Sequence, residues 1–217
     1  IQMTHSQYGQ DDFVMKYYSG KTNGYFVDVG AFNTGDDTII LENSGWSGIC
    51  IEPINGAFSE LSKNRNCVCL NICVGSENKE VDFLENTSQK PDEKWYGYTS
   101  ALSGVYESYS PEHLDRIAQE NKKWNAKSNL VKKQMLTLEK VFEQSNSPNF
   151  IEYLKIDVEG GELSCLKGVN FEKQNFGLIS LEANYDHEIN ACVDYLKTKN
   201  YEPFVKVGID VFFRKKL

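Results

Sequence analysis

The chain has 217 residues and the composition of a folded, acidic protein. Hydrophobic residues make up 40% of it, and 23 Lys and Arg face 31 Asp and Glu, a net charge of −8. This length predicts one globular domain, residues 1–217, and the composition excludes a disordered chain. Only three of the cations are arginine, a poor basis for gripping a phosphate backbone, so we expect no nucleic-acid partner. No apolar run is long enough for a membrane span, and we recognise no signal peptide.

The cysteines indicate a reducing environment. Cys50, Cys67 and Cys69 lie in short apolar runs typical of strands, where a free thiol behaves as a small buried hydrophobic group. One residue separates Cys67 from Cys69, which is not the spacing of a zinc site. We therefore expect reduced thiols and a cytoplasmic location. The first residue is Ile1, which suggests a domain taken from a longer polypeptide.

Short apolar runs alternate with helix-like segments in the first third of the chain. This alternation predicts βαβ units and a mostly parallel sheet. The predicted elements are a helix over 11–18, a strand over Tyr25–Val29, a glycine-bearing turn over 30–35, a helix that Asp36 or Asp37 begins, and strands over 48–52 and 67–73 on either side of a further helix.

The middle of the chain has a different pattern. Residues 75–84 predict a turn and a short strand, and Ser110 with Pro111 predicts the start of a helix. Between them lies a polar stretch that also carries Trp95, Tyr96 and Tyr98. We interpret residues 85–133 as an insertion on the substrate side, either a substrate loop whose aromatic rings stack on a sugar or a surface excursion packed on the core.

Regular alternation resumes near residue 151 and continues to the end of the chain. The predicted elements are a strand over 151–157, a helix ended by Gly168 at its C′ position, a strand over 176–182, a helix over 185–199, and a hairpin of strands over 202–206 and 209–215. The sequence therefore predicts an α/β fold, mostly parallel, with a C-terminal antiparallel pair and helices on both faces.

The ends of the first two strands indicate a nucleoside site. A dinucleotide-binding turn needs a second glycine where this chain has Phe32, whose ring would block a pyrophosphate, so we exclude NAD. Glu52 ends the second strand 22 residues after Gly30, about where an acidic residue binds ribose hydroxyls. A nucleoside without a pyrophosphate points to S-adenosylmethionine.

Four blocks of sequence resemble the FkbM-type methyltransferases in order and spacing. They are residues 6–11 (SQYGQD), 26–31 (FVDVGA), 45–53 (GWSGICIEP) and 153–162 (YLKIDVEGGE). The resemblance implies a Rossmann-like, seven-stranded methyltransferase sheet that residues 210–213 help to close. It also implies methylation of hydroxyl groups on sugars or natural products with S-adenosylmethionine. Residues 85–133 match no pattern of the family.

The resemblance also implies roles for individual residues. Asp28, Gly30 and Gly35 would shape the cofactor turn, and Glu52 would hold the ribose. Gln10 belongs to a block that would close over the cofactor, although the same block could instead cap a helix. The implied cofactor-binding residues are Gln10, Asp28, Gly30, Ala31, Gly35, Glu52, Asn71 and Ile72, the last two beside the adenine.

A neutral sugar hydroxyl needs a base or a metal before it can accept a methyl group. Asp157 and Glu182 end adjacent strands, and their carboxylates suit Mg²⁺ or Mn²⁺, so we hypothesise that they bind such an ion. The rival interpretation makes Asp157 or Glu159 a direct general base. His187 follows the fifth strand and is a third catalytic candidate, although it could equally be a solvated residue at a helix start.

These observations predict an O-methyltransferase that acts on a sugar hydroxyl, in a glycan or a glycosylated metabolite, with a deoxyhexose such as rhamnose as one candidate. Two alternatives stay open: N-methylation of a peptide or amine, and a non-catalytic binding module with the same fold. Glycosyltransferase domains are expected neighbours in a longer parent chain.

Overall fold

The computed structural model describes residues 5–88 and 99–217, and within them it forms two β-sheets with helices packed around the larger one. The strands are β1 Tyr25–Val29, β2 Ser47–Ile51, β3 Val68–Leu70, β4 Cys73–Val74, β5 Lys79–Ser88, β6 Gly104–Val105, β7 Ala126–Leu136, β8 Phe150–Ile156, β9 Asn175–Glu182, β10 Tyr201–Val207 and β11 Asp210–Lys215. The helices are α1 Gln10–Tyr17, α2 Ile39–Asn43, α3 Asn55–Asn64, α4 Pro111–Trp124, α5 Leu138–Gln144, α6 Glu162–Lys167 and α7 Asp186–Thr198.

The larger sheet has seven strands in the order β10-β11-β9-β8-β1-β2-β3. The strand β1 lies at its centre and pairs in parallel with β2 and with β8, so that Val27 has Ile49 on one side and Leu154 on the other. The strand β11 is antiparallel to both of its neighbours, β9 and β10. This arrangement confirms the predicted mostly parallel sheet with a C-terminal antiparallel hairpin.

Both faces of the seven-stranded sheet are buried under helices. Neighbouring residues of a central strand point to opposite faces, so each strand contributes to both sides of the core. On one face Val27 packs with Leu138 of α5, Leu166 of α6 and Leu196 of α7. On the other face Phe26 packs in a cluster with apolar residues of α1, α2 and α3 and with the buried Trp46. The prediction of helices on both faces is confirmed.

The second sheet is the part of the fold that the sequence analysis missed. It has four strands in the order β4-β7-β5-β6, and the long strands β5 and β7 pair in an antiparallel ribbon from Lys79 opposite Met135 to Ser88 opposite Ala126. The single strand predicted over 67–73 is wrong, because the chain leaves the large sheet after Leu70 and enters the small one at Cys73. Most of β7 faces solvent, so its polar side chains hide the period of a strand.

Two predicted helix ends differ from the structure. Neither Asp36 nor Asp37 begins α2, because its N-cap residue is Thr38, and the Asp37 carboxylate lies 3.0 Å from the Lys155 ammonium instead. Gly168 ends α6 with a φ of −80°, so it is not a left-handed C′ glycine. Glycine is required there for another reason: a Cβ would lie 2.2 Å from the carbonyl oxygen of Gly75.

The remaining boundaries agree closely with the predictions. The bounds of β1 are those predicted, and β2, β8, β9, α1 and α7 lie within one residue of theirs. The helix α4 begins at Pro111, where the Ser110 hydroxyl accepts the His113 backbone N–H. Trp95, Tyr96 and Tyr98 lie outside the described residues. All six cysteines are free thiols, and no helix among the described residues is long and apolar enough to cross a bilayer.

Candidate active site

A cavity of about 390 Å³ opens at the carboxyl ends of the central strands. The large sheet supplies one wall, from Gly30, Glu52, Asp157 and Glu182, and residues 101–105 with Arg116 of the insertion supply the other. A smaller cavity of about 190 Å³ shares Gly30, Asp157 and Glu182 with it. The site therefore lies where open α/β sheets bind ligands, between the sheet and the inserted segment.

The turn after β1 brings the backbone close to the acidic end of β8. Gly30 has a φ of +85°, and a Cβ there would lie 1.8 Å from the carbonyl oxygen of Asp157, so only glycine fits. The backbone N–H of Phe32 donates to the Glu52 carboxylate at 2.8 Å. Phe32 lines both cavities.

Glu52 is anchored at the edge of the larger cavity with only 3% of its surface exposed. Its two oxygens accept the backbone N–H groups of Phe32 and Ile54, and burial raises the pKa of the carboxyl to about 7. The Asn71 amide donates to the carbonyl oxygens of Glu52 and Pro53, so it supports this turn, while Ile72 lines the cavity itself.

Two other predicted cofactor residues lie beneath the turn rather than on a cavity wall. Asp28 is fully buried and accepts a hydrogen bond from the Thr38 hydroxyl at 2.7 Å. Gly35 has a φ of +64°, and its Cα faces the Arg65 guanidinium so closely that a Cβ would lie 2.1 Å from Nη1. Both residues therefore shape the turn from behind.

Gln10 and Ala31 line the smaller cavity. The Gln10 amide donates to Asp210 at 3.3 Å, which ties α1 to the closing strand β11. Asp11 in the same block is fully buried and accepts the His5 backbone N–H and the Ser6 hydroxyl. These contacts are local, but the helix-capping interpretation of this block is not confirmed, because the N-cap residue of α1 is Gly9 and no side chain caps the helix.

Lys155 is a buried cation that the sequence analysis did not single out. Its ammonium lies 3.0 Å from Asp37, 3.5 Å from Asp28 and 3.6 Å from Asp157. Burial alone would lower the pKa of this amine, but the surrounding carboxylates outweigh burial and hold the pKa well above its usual range. A lysine inside an apolar strand is the sequence signal that could have identified it.

Three carboxyl groups meet at the ends of β8 and β9. One oxygen from each of Asp157, Glu159 and Glu182 lies within 4.8 Å of the others. Burial, followed by the charges of Asp157 and Glu159, raises the pKa of Glu182 to about 10, and burial followed by Asp157 raises that of Glu159 to about 8. The Asn184 amide donates to Glu182 at 2.6 Å. Adjacent strand ends therefore bring the predicted acidic residues together.

His187 is placed differently from the acidic residues. Its side chain is 58% exposed, lies 3.9 Å from the carboxylates of Glu112 and Glu188, and lines neither cavity. The buried histidine near the acidic cluster is His113 of α4, which the sequence analysis missed. Burial lowers the pKa of His113 to about 4, so its ring is neutral near pH 7.

Comparisons with known proteins were made for sequence and for structure. The family profile described as the methyltransferase FkbM domain matches residues 28–203. No curated protein matches the sequence significantly. Among solved structures, the chain is similar to PH1948, a candidate RNA methyltransferase from Pyrococcus horikoshii, with 12% identity, a TM-score of 0.45 and coverage of 100% of this chain and 91% of that chain.

Two structures of METTL16 are similar to the same extent. A delta-N form of the METTL16 methyltransferase domain has 10% identity and a TM-score of 0.44, with 94% of this chain and 78% of that chain covered. The N-terminal domain of human METTL16 has 12% identity and a TM-score of 0.44, with 95% and 66% covered. Likeness at such low identity concerns the fold alone. The profile match, in contrast, spans both the turn after β1 and the acidic strand ends, and the chain therefore belongs to the FkbM methyltransferase domain family, which uses S-adenosylmethionine.

Proposed function

We propose that this methyltransferase transfers the methyl group of S-adenosylmethionine to a hydroxyl of a sugar. The observation that carries the proposal is the shared cavity, which is lined by Gly30 and Glu52 and by the acidic cluster of Asp157, Glu159 and Glu182. One cavity thus offers a nucleoside site and a group of proton acceptors next to it.

The residues present fit the cofactor. Each Glu52 oxygen accepts one backbone N–H and keeps a further lone pair, which is what a ribose diol requires. Ile54 and Ile72 supply apolar wall for an adenine. The smaller cavity carries Lys155 and Asp37, charges of both signs that suit the ammonium and carboxylate of an amino acid.

Methyl transfer requires the protein to position the acceptor hydroxyl and to remove its proton. When bound, S-adenosylmethionine supplies a methyl group on a sulfonium, a leaving group that needs no acid. The walls of the cavity hold the acceptor hydroxyl in line with that methyl group. We assign proton acceptance to Glu159, with Asp157 as the alternative base, because both line the cavity.

A divalent cation is the second part of the proposal. Asp157 and Glu182 are the candidate ligands, with Glu159 beside them, and three carboxyl groups within 4.8 Å repel one another when ionised. Carboxylate oxygens are the ligands that Mg²⁺ and Mn²⁺ prefer, so Asp157 and Glu182 fit such an ion. Such an ion would neutralise these charges and lower the pKa of a bound hydroxyl. Full activity after exhaustive chelation with EDTA would contradict this part.

The charge of the site favours a neutral acceptor. The net charge of −8 disfavours the approach of a polyanion, so we do not propose RNA or DNA as the acceptor. A neutral hexose or deoxyhexose, such as rhamnose, meets no such barrier. N-methylation of an amine is the second candidate, because a carboxylate of the cluster could accept the proton that an ammonium ion must lose before its nitrogen is methylated.

The first experiment is a thermal unfolding scan with S-adenosylhomocysteine, with NAD⁺ as the control ligand and with or without Mg²⁺ or Mn²⁺. A ligand at about 100 times its dissociation constant stabilises a protein of this size by about 2.7 kcal/mol, or about 5–11 °C. We expect this shift with S-adenosylhomocysteine and no shift with NAD⁺. No shift at saturation would favour a non-catalytic module instead.

The second experiment identifies the acceptor class. Tritiated S-adenosylmethionine is incubated with the protein, Mg²⁺ and a panel of methyl glycosides that includes methyl rhamnoside, and in parallel with an amine-bearing peptide. We expect label in the glycosides and none in the peptide. The reverse result would replace O-methylation with N-methylation.

A further inference from the structure

The inserted helix α4 reaches the acidic cluster through one side chain, His113. Its ring is 1% exposed and packs edge-on against Tyr185, with 4.5 Å between ring centroids. A Cβ on Gly160 would lie 3.1 Å from His113 Cε1, so the ring also rests on the loop after β8. The insertion and the loop after β8 are therefore in contact at this imidazole.

The two ring nitrogens face different carboxylates. Nδ1 lies 3.3 Å from the Ser110 hydroxyl and 3.3 Å from Glu188 Oε1, which fixes the ring from behind. Nε2 faces Glu159 Oε2 at 3.7 Å, beyond hydrogen-bond distance. Both of these atoms are buried without a hydrogen-bond partner. Two unsatisfied polar atoms that face each other cost free energy, and a movement of less than about 1 Å would pair them.

The loop that carries Glu159 has a conformation that tertiary contacts must hold in place. Glu159 has a φ of +56° and Gly160 one of +99°, both in the left-handed region. A residue other than glycine adopts this region at an energetic cost. The orientation of the Glu159 carboxyl therefore depends on its contacts, and His113 faces its otherwise unpartnered oxygen.

We propose that His113 is a positioning residue for Glu159, and that its Nε2 orients the carboxyl toward an acceptor hydroxyl in the cavity. This inference rests on the proposed function, because it assigns Glu159 a role in methyl transfer. His113 lines neither cavity, so it acts through Glu159 and not on the acceptor. Through His113 the inserted segment would therefore influence the reacting group. The same helix, α4, also places Arg116 in the cavity wall.

The first test measures the contact without any acceptor. Two-bond ¹H–¹⁵N spectra of the protein resolve the imidazole nitrogens of its three histidines. We expect Glu159→Gln to shift the His113 Nε2 resonance by several ppm and to leave those of His5 and His187 in place. An unchanged His113 Nε2 resonance would overturn the proposal, whatever the activity of the protein.

The second test measures catalysis with tritiated S-adenosylmethionine and the glycoside that the wild-type protein labels best. His113→Phe keeps the ring packing and removes both nitrogens, and we expect kcat to fall about 10-fold or more with an unchanged KM for S-adenosylmethionine. His113→Gln, which restores a polar group near the Nε2 position, should recover part of kcat. Glu112→Gln, on the exposed side of the same helix, is the matched control.

The outcomes separate this proposal from the proposed function. Equal kcat in His113→Phe and wild type would overturn the positioning role while methyl transfer stands. Equal losses in His113→Phe and His113→Gln would also overturn it, because a merely structural role predicts no rescue. A wild-type protein that binds S-adenosylhomocysteine but labels neither glycoside nor peptide would count against the proposed function. The spectra would still show whether His113 Nε2 contacts Glu159.

Discussion

Glu159 and His187 were both catalytic candidates from sequence, and the structure gives them opposite surroundings. Glu159 is buried and lines the larger cavity, whereas the His187 side chain is 58% exposed. We expect Glu159→Gln to lower kcat by about 100-fold or more, the usual effect of removing a general base. His187→Ala should leave kcat unchanged. An equal loss in both variants, measured with tritiated S-adenosylmethionine, would contradict this assignment.

Glu52 offers the sharpest test of the nucleoside site. In Glu52→Gln one oxygen still accepts a backbone N–H, but the charge that would hold the ribose is lost. A hydrogen bond to a charged group contributes about 1.5–3 kcal/mol, so affinity for S-adenosylhomocysteine should fall about 10- to 100-fold. Isothermal titration calorimetry measures it, with the exposed Glu60→Gln as the control. Unchanged affinity in Glu52→Gln would place the ribose elsewhere.

Residues that follow a strand were predictable, and residues that depend on tertiary contacts were not. Glu52, Asp157 and Glu182 were found because the ends of parallel strands meet at one edge of the sheet. Lys155 and His113 were missed for different reasons: the first is hidden in an apolar strand, and the second belongs to an insertion that matched no pattern. Sequence also could not reveal that Asp28 and Asn71 support the turn from behind.

At the level of elements, the strands of the large sheet could be predicted from sequence and the ribbon of the small sheet could not. The strand β1 was predicted with its observed bounds, because burial on both faces makes it apolar at every position except Asp28. The ribbon of β5 and β7 was not, because one of its faces is solvated and Leu130 within it is exposed. Pairing between strands so distant in the chain leaves no local signal.

The small sheet and helix α4 are joined by Asn86. This residue is fully buried, its backbone N–H donates to the Ser103 hydroxyl, and its side-chain oxygen accepts from Asn121 and Ser128. We expect Asn86→Ala to remove the acceptor shared by Asn121 and Ser128, at about 1–3 kcal/mol for the two hydrogen bonds, and to loosen α4.

Hydrogen exchange would detect this loosening. Amides of residues 111–124 should exchange faster in Asn86→Ala, while those of β8 and β9 keep their protection. Lys127→Ala, on the exposed side of the ribbon, is the matched control. Uniformly faster exchange throughout the chain would mean that Asn86 stabilises the whole fold and not the insertion.

For the molecule as a whole, the site places several carboxyl groups with raised pKa values at one end of the sheet. Burial raises the pKa of Glu52, of Glu162 and, with the charges of Asp157 and Asp37 adding to the effect, of Asp210, each to about 7. In the unfolded chain these groups titrate near 4.5 and 3.8. The folded protein therefore binds more protons than the unfolded chain between these values, and stability must fall as the pH rises through that window.

This imbalance predicts how thermal stability depends on pH in the absence of ligands. A buried carboxyl group shifted from 4.5 to about 7 costs the folded state about 3 kcal/mol above both values. His113, whose pKa is lowered to about 4, acts in the opposite direction below pH 6.5, but the acidic groups outnumber it. Each of the three carboxyl groups contributes about 2 kcal/mol between pH 5.5 and pH 8.5, so we expect Tm to fall by about 12–24 °C over this range. The Glu52→Gln, Glu162→Gln double variant should flatten this profile, and a wild-type Tm that rises over the same range would show that the carboxyl groups are already ionised in the folded protein.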